Sequence, residues 1–86
     1  MKQWRAQPSW QALQARDRLN RVVRAFFQER GVTEISTPVL GSRGSPDCHL
    51  RSMEVRVEDD RHFLQTSPEF AMKRVLATYG QAIFQI

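Results

Sequence analysis

Residues 62–86, HFLQTSPEFAMKRVLATYGQAIFQI, decide the fold of this chain because they place a polar cluster between two apolar runs. The run at 62–65 predicts a strand, Pro68 suits the first turn of a helix, and Gly80 suits its left-handed end. The apolar residues up to Ile86 then predict the start of another strand, whose backbone groups need partners. We therefore expect a larger domain to continue beyond Ile86.

The helix predicted between these strands has a capping residue and one apolar side. Ser67 is a candidate N-cap, and Glu69 falls in the first turn, where the helix dipole favours a carboxylate. Val75, Leu76 and Tyr79 predict the side that packs against the rest of the fold.

The composition is that of an ordinary globular protein, with 41% hydrophobic and 26% charged residues in 86. A chain of this length lies near the lower limit for a self-sufficient core. The single cysteine, Cys48, excludes an internal disulfide, and no apolar run is long enough for a signal peptide or a membrane span. We therefore expect a cytoplasmic protein with no membrane contact.

The net charge of +4 is concentrated in the first third of the chain. Residues 1–30 contain seven Lys or Arg and two acidic residues, whereas residues 31–86 contain six basic and seven acidic ones. A basic helix is compatible with RNA, an acidic partner or a membrane surface, but a solvated helix face is the more common explanation. Charge alone therefore does not identify a function.

The first helix is predicted by an apolar stripe at helical spacing between Ser9, a candidate N-cap, and Gly31, a candidate left-handed C-terminus. The stripe consists of Leu19, Val22, Val23, Phe26 and Phe27.

Strands are predicted on both sides of a central loop. Residues 32–38 favour a strand that ends at its terminal proline, and the Gly- and Ser-rich residues 41–47 favour a loop. Alternating apolar and charged residues at 53–57 predict a half-buried strand. The charged residues 58–61 predict a turn that pairs it with the strand at 62–65 in a hairpin.

A helix that leads through Arg30-Gly31-Val32 into a strand ending in residues 37–40, TPVL, resembles the first signature motif of class II aminoacyl-tRNA synthetases. Residues 65–76, QTSPEFAMKRVL, and 83–86, IFQI, resemble the segment that leads into motif 2 of the lysine branch of that family. Within this branch the chain is most similar to the short lysyl-tRNA synthetase paralogues that attach β-lysine to elongation factor P.

Asp47 and His49-Leu50 also match a similar Asp-x-His-Leu of the paralogues. Two features distinguish the paralogues from true lysyl-tRNA synthetases, and the first is Ser67, which occupies a position where the true enzymes usually have alanine. The true enzymes also have an anticodon-binding domain before motif 1, and only a short segment precedes the helix here. The resemblance covers about residues 17–86.

The resemblance implies an α+β fold, in which a helix packs on part of an antiparallel β-sheet, as the N-terminal part of a synthetase catalytic domain. Residues 1–86 would form one fragment of that domain. Residues 1–16 would be the N-terminal segment and helix start, and 17–40 the motif 1 helix and strand. Residues 41–86 would contain the loop, the hairpin, the substrate-site helix and the first residues of the motif 2 strand.

The resemblance also implies roles for particular residues. Ser67 and Pro68 would line the substrate site, and Glu69 would bind the amino group of lysine or β-lysine through a charge-assisted hydrogen bond. Lys73 and Arg74 are more typical of a solvated helix face, although either is able to contact a phosphate. A homodimer would form through the motif 1 region, at Phe26, Phe27, Gly31, Val32 and Pro38.

The implied reaction is ATP-dependent activation of lysine or β-lysine as an adenylate, followed by transfer to elongation factor P or, in the alternative, to tRNA. A non-catalytic module that binds nucleic acid or forms a dimer is a further alternative. ATP and Mg²⁺ would be cofactors of the full-length parent, and none is expected for the fragment. Cys48, His49 and His62 lack the spacing of zinc ligands.

We expect residues 1–86 alone to be inactive and to contain no catalytic residue, because the family's ATP-binding arginines follow the strand that begins at Ala82. Purified 1–86 should not exchange pyrophosphate into ATP when lysine is added. Lysine-dependent exchange would contradict this expectation.

Overall fold

The computed structural model describes residues 7–44 and 51–86, which form two helices and five short strands. The predictions made for Asp47, Cys48 and His49-Leu50 lie outside the described residues. The helices are α1 (Trp10–Glu29) and α2 (Glu69–Tyr79), and the strands are β1 (Thr33–Glu34), β2 (Leu40–Gly41), β3 (Glu54–Val57), β4 (Asp60–Leu64) and β5 (Ile83–Phe84). This confirms the α+β class.

Both ends of α1 form as their local sequence predicts. The Ser9 hydroxyl accepts a hydrogen bond from the Ala12 backbone N–H at 3.1 Å, which satisfies one of the free N–H groups of the first turn. At the other end Gly31 has φ 71°, the left-handed conformation that glycine adopts at low cost. The helix begins at Trp10 and continues without a break past residues 16 and 17 to Glu29.

Antiparallel strands form a three-stranded sheet in the order β2-β4-β3. The hairpin predicted from the alternation at 53–57 is confirmed, with Val57 opposite Asp60 and Val55 opposite His62. Its turn is shorter than predicted, since only Glu58 and Asp59 separate the strands. Gly41, which the composition placed in a loop, lies instead in β2 and pairs with Phe63.

The two remaining strands form a parallel pair that no local pattern predicts. Thr33 lies opposite Ile83, and Glu34 opposite Phe84. The Thr37 hydroxyl extends the association by donating to the Gln85 side-chain oxygen at 2.9 Å. Of the strand predicted at 32–38, only Thr33–Glu34 forms a strand. Its pairing partner β5 is also only two residues long, so two residue pairs form between them.

The core is small and centres on Phe84, the one buried hydrophobic side chain among the described residues. Its ring stacks on that of Phe27 with 4.3 Å between centroids and 20° between planes. Phe27 and Val23 are the half-buried members of the predicted α1 stripe, whereas Leu19, Val22 and Phe26 are exposed. One part of the stripe therefore packs against the strands, and the other part faces outward.

The apolar side of α2 differs from the prediction in one respect. Val75 is half-buried as expected, together with Ala71 and Met72. Leu76 and Tyr79 are 43% and 70% exposed, so they do not pack as expected.

Replacing Phe84 by alanine should lower the free energy of unfolding by about 3 kcal/mol, because the change removes buried area and leaves a cavity against Phe27. Tyr79→Ala, at an exposed ring, is the matched control and should cost about 1 kcal/mol or less. Urea denaturation measures both values. Equal losses for the two variants would contradict the assignment of Phe84 to the core.

Candidate functional site

A groove of about 690 Å³ lies between the β2 segment and the start of α2. Its walls come from three stretches of chain, namely β2 with the loop that follows it, the link from β4 to α2, and the first turns of α2. The lining residues are Pro38, Leu40, Gly41, Ser42, Arg43, Gly44, Gln65, Thr66, Ser67, Phe70, Ala71 and Arg74.

Backbone pairing holds the two walls of the groove together. Leu40 of β2 lies opposite Leu64 of β4, and the Gln65 N–H donates to the Val39 carbonyl at 2.8 Å. The chain leaves the sheet immediately afterwards and enters α2. A side chain added at Gly41 would require the amide end of the flexible Gln65 side chain to move, because that amide lies over Gly41.

Ser67 lines this groove and does not cap α2. The helix begins at Glu69, one residue later than predicted, and Pro68 occupies the N-cap position with φ −79° and ψ 4°. The Pro68 carbonyl accepts from the Met72 N–H at 2.9 Å, but no side chain caps the helix. The prediction of a Ser67 cap is therefore wrong, because Ser67 precedes the N-cap residue, and its exposed hydroxyl is available to a ligand.

Glu69 lies beside the groove without lining it. Its carboxylate pairs with the Lys73 ammonium at 2.8 Å, one helical turn away, with the two side chains 61% and 62% exposed. Pro68 is half-buried between Ser67 and Glu69. The structure thus places the three predicted substrate-binding residues next to one another, and their role in binding stays a prediction.

Two arginines give the groove a positive charge. Arg43 reaches it from the loop after β2 and Arg74 from α2, and no acidic residue is among the described residues that line it. The sequence allowed a phosphate contact for Arg74 but gave no such indication for Arg43, and nothing local links two residues so far apart in the chain. Only the fold brings them to the same groove.

The predicted dimer residues do not share one surface. Phe26 is 48% exposed and lies on α1 beside Leu19 and Val22, which are 60% and 67% exposed. Phe27 stacks on Phe84, so its ring faces the interior.

The other three lie elsewhere. Gly31 and Val32 line a second groove of about 380 Å³ beside β1, and Pro38 belongs to the wall of the larger groove. Whether any of these residues contacts a second subunit stays a prediction.

A separate cluster of charges fixes the hairpin. Arg61 donates to the two carboxylate oxygens of Glu54 at 2.8 and 3.2 Å, and Arg56 lies 3.7 Å from the same carboxylate. The hydrogen bond from Arg61 is the main cause that holds the pKa of Glu54 below its ordinary value. None of the three residues lines the groove, so the cluster lies apart from the candidate site.

Residues 7–44 and 51–86 contain no group of three or more His, Cys, Asp or Glu side chains arranged to hold a metal ion. Neither helix of the described part is long and apolar enough to cross a membrane.

Comparison with known proteins assigns the family. The model of the class II tRNA synthetases for aspartate, lysine and asparagine matches residues 1–86, the whole chain. The chain belongs to this family. The resemblance inferred from the motif 1 pattern and from residues 65–76 is thereby confirmed.

Within this family, the chain is similar to several elongation factor P–(R)-β-lysine ligases. Over 90 residues the chain is 37% identical to the elongation factor P–(R)-β-lysine ligase of Avibacterium paragallinarum and 40% identical to that of Histophilus somni (strain 2336). Each alignment covers 98% of this chain and 28% of the relative. A homologue of the ligase from Aquifex aeolicus is 43% identical over 68 residues, which are 74% of this chain and 23% of the relative. The chain thus spans about a quarter of the length of these proteins.

Replacing Arg61 by glutamine should raise the pKa of Glu54 toward its ordinary value of 4.5, because it removes the largest favourable interaction of the carboxylate. Arg56→Gln is the matched control and should raise it less. Carboxyl titration by NMR measures both. Since the pKa is lowered on folding, the stability that Glu54 contributes is complete above 4.5 and is lost as the pH falls through the lowered value. An unchanged Glu54 pKa in Arg61→Gln would contradict this assignment.

Proposed function

We propose that this chain is part of an ATP-dependent ligase that activates lysine or β-lysine as an adenylate and transfers it to elongation factor P. The observation that carries the proposal is 37–40% identity, over 98% of this chain, to proteins named as elongation factor P–(R)-β-lysine ligases. The family assignment supports the same chemistry, since its members join amino acids to an acceptor.

Glu69 would select a substrate that carries an ammonium group. A fixed carboxylate near the groove provides a charge-assisted hydrogen bond to such a group and orients the substrate for reaction. In the structure the Glu69 carboxylate pairs with the Lys73 ammonium at 2.8 Å, so it is able to bind an ammonium group. Exposed pairs of this spacing are worth only about 0.3–0.5 kcal/mol, so a bound substrate would displace Lys73 at little cost.

Ser67 and Pro68 would shape the wall beside that carboxylate. The Ser67 hydroxyl is not used to cap α2, and it lines the groove, where it is able to donate to or accept from a polar ligand atom. Pro68 holds the backbone in the conformation that starts the helix and thereby sets the position of Glu69.

ATP and Mg²⁺ remain proposals that rest on the family. ATP would supply the phosphate to which the substrate carboxylate becomes joined, with release of pyrophosphate. The described residues offer no cluster of metal ligands, so we assign them no role in binding Mg²⁺. Their role would be to bind and orient the amino acid.

The exposed apolar face of α1, formed by Leu19, Val22 and Phe26, supports the further proposal of a homodimer, because an apolar stripe of this kind is usually covered. Light scattering of the full-length protein tests it, and a monomer would contradict it. The prediction of a cytoplasmic location stays a prediction.

A basic nucleic-acid-binding helix receives less support from the geometry. Arg21 and Arg24 of α1 are already engaged by Asp17 and Glu34, at 3.2 and 3.0 Å respectively. A tRNA acceptor is a different alternative, and the experiment below includes it because the matching family contains tRNA synthetases.

In the full-length protein that contains these residues, Glu69→Gln should raise the KM for lysine or β-lysine about tenfold or more, because the charge opposite the ammonium is lost. Pyrophosphate exchange dependent on the amino acid measures it. Glu58→Gln, at the hairpin turn outside the groove, is the matched control and should leave KM unchanged.

The acceptor is tested by supplying labelled β-lysine or lysine with either elongation factor P or lysine tRNA. Labelled elongation factor P supports the proposal. Labelling of tRNA alone, or exchange that does not depend on either amino acid, would contradict it.

A further inference from the structure

We infer that Arg43 and Arg74 form an oxyanion-binding subsite in the groove, which takes a phosphate or carboxylate group of the ligand. The inference deepens the proposed function and rests on it for the identity of the ligand. The binding of an oxyanion as such follows from the groove itself.

The first support is the ion-pair pattern of the described part of the chain. Within residues 7–44 and 51–86, carboxylates engage the cationic groups of five side chains, and neither groove arginine is among them. The engaged side chains are Arg21, Arg24, Arg56, Arg61 and Lys73. Arg43 and Arg74 therefore keep their full donor capacity for a ligand.

The second support is the absence of negative charge from the described lining of the groove. The nearest carboxylate along α2 is Glu69, five residues before Arg74, which places it about 140° away around the helix axis. It pairs with Lys73, and neither of those two residues lines the groove. Two positive charges in a concave surface without a counter-charge favour an anionic ligand.

The third support is the chemistry of the remaining lining. The hydroxyls of Ser42, Thr66 and Ser67 and the amide of Gln65 provide neutral donors for the other oxygens of a phosphate or carboxylate. Arginine itself matches these groups through paired N–H donors. A volume of about 690 Å³ lies within the usual range of small-molecule sites, which is roughly 300–1,000 Å³.

The arrangement also gives the ligand a direction. The oxyanion would lie in the groove against the two arginines, and an ammonium group would lie outside the groove at Glu69. An amino acid that is being activated carries both charges, and its phosphate-containing co-substrate carries only negative charge. The two possible sources of the oxyanion are therefore the amino acid's own carboxylate and a phosphate.

The experiment uses the full-length protein that contains this chain and measures binding by isothermal titration calorimetry. The variants are Arg43→Gln and Arg74→Gln, with Arg74→Lys as a variant that keeps the charge but loses the paired donors. Arg18→Gln, at an exposed arginine of α1 outside the groove, is the matched control for net charge. The probes are inorganic pyrophosphate, lysine, and lysinamide, which lacks the carboxylate. Thermal unfolding by circular dichroism confirms that each variant is folded.

We expect both glutamine variants to weaken the binding of an oxyanion probe about tenfold or more, with Arg74→Lys intermediate and Arg18→Gln unchanged. A loss for pyrophosphate identifies the phosphate as the source. A loss for lysine that spares lysinamide identifies the carboxylate.

The inference is overturned if Arg43→Gln and Arg74→Gln bind both oxyanion probes as Arg18→Gln does, or if the wild-type protein binds neither probe. Failure of the proposed function is distinguishable from these results. A protein that binds pyrophosphate through the two arginines but does not recognise lysine or β-lysine would keep the subsite and contradict the ligase.

Discussion

The stacking of Phe27 on Phe84 is the contact on which the rest of the structure depends. It joins α1 to β5, two elements at opposite ends of the chain, with 4.3 Å between ring centroids. Because Phe84 is the one buried hydrophobic residue of the described part, no second core is present there to hold these elements if this contact is lost. Phe84 is also the β5 residue that lies opposite Glu34 of β1. The same residue therefore belongs both to the stacking contact and to the parallel strand pair.

The candidate site depends on a different contact, the backbone pairing at the end of β4. The hydrogen bond from Gln65 to Val39 and the pairing of Leu64 with Leu40 bring the loop after β2 beside the start of α2. Arg43 and Arg74 thereby reach one groove although they belong to different elements. The site is thus defined by strand pairing, while the small aromatic core holds α1 and the parallel strands together.

Family membership and geometry contribute different parts of the functional interpretation. The relatives are named as ligases, and the structure shows how residues 67–69 are arranged with respect to the groove. Ser67 faces the groove, and Glu69 lies beside it, paired with Lys73. Since the chain spans 28% of these relatives, the complete reaction belongs to the proposal and not to the described residues.

The sequence by itself determined the features that depend on residues a few positions apart. The Ser9 cap, the left-handed Gly31 and Gly80, and the hairpin at 53–64 all formed as expected, because caps, helix ends and alternating strands are local. The family was also predicted from the sequence, because each of its motifs is a short and contiguous stretch of residues.

Only the tertiary structure decided which distant segments meet. The parallel β1–β5 pair, the strand at Leu40–Gly41 and the convergence of Arg43 with Arg74 were not predicted, and the Ser67 cap was predicted wrongly. Strand partners and groove walls come from parts of the chain that are far apart in sequence. Their pairing is set by packing and by backbone hydrogen bonds between segments, which no local pattern of residues records.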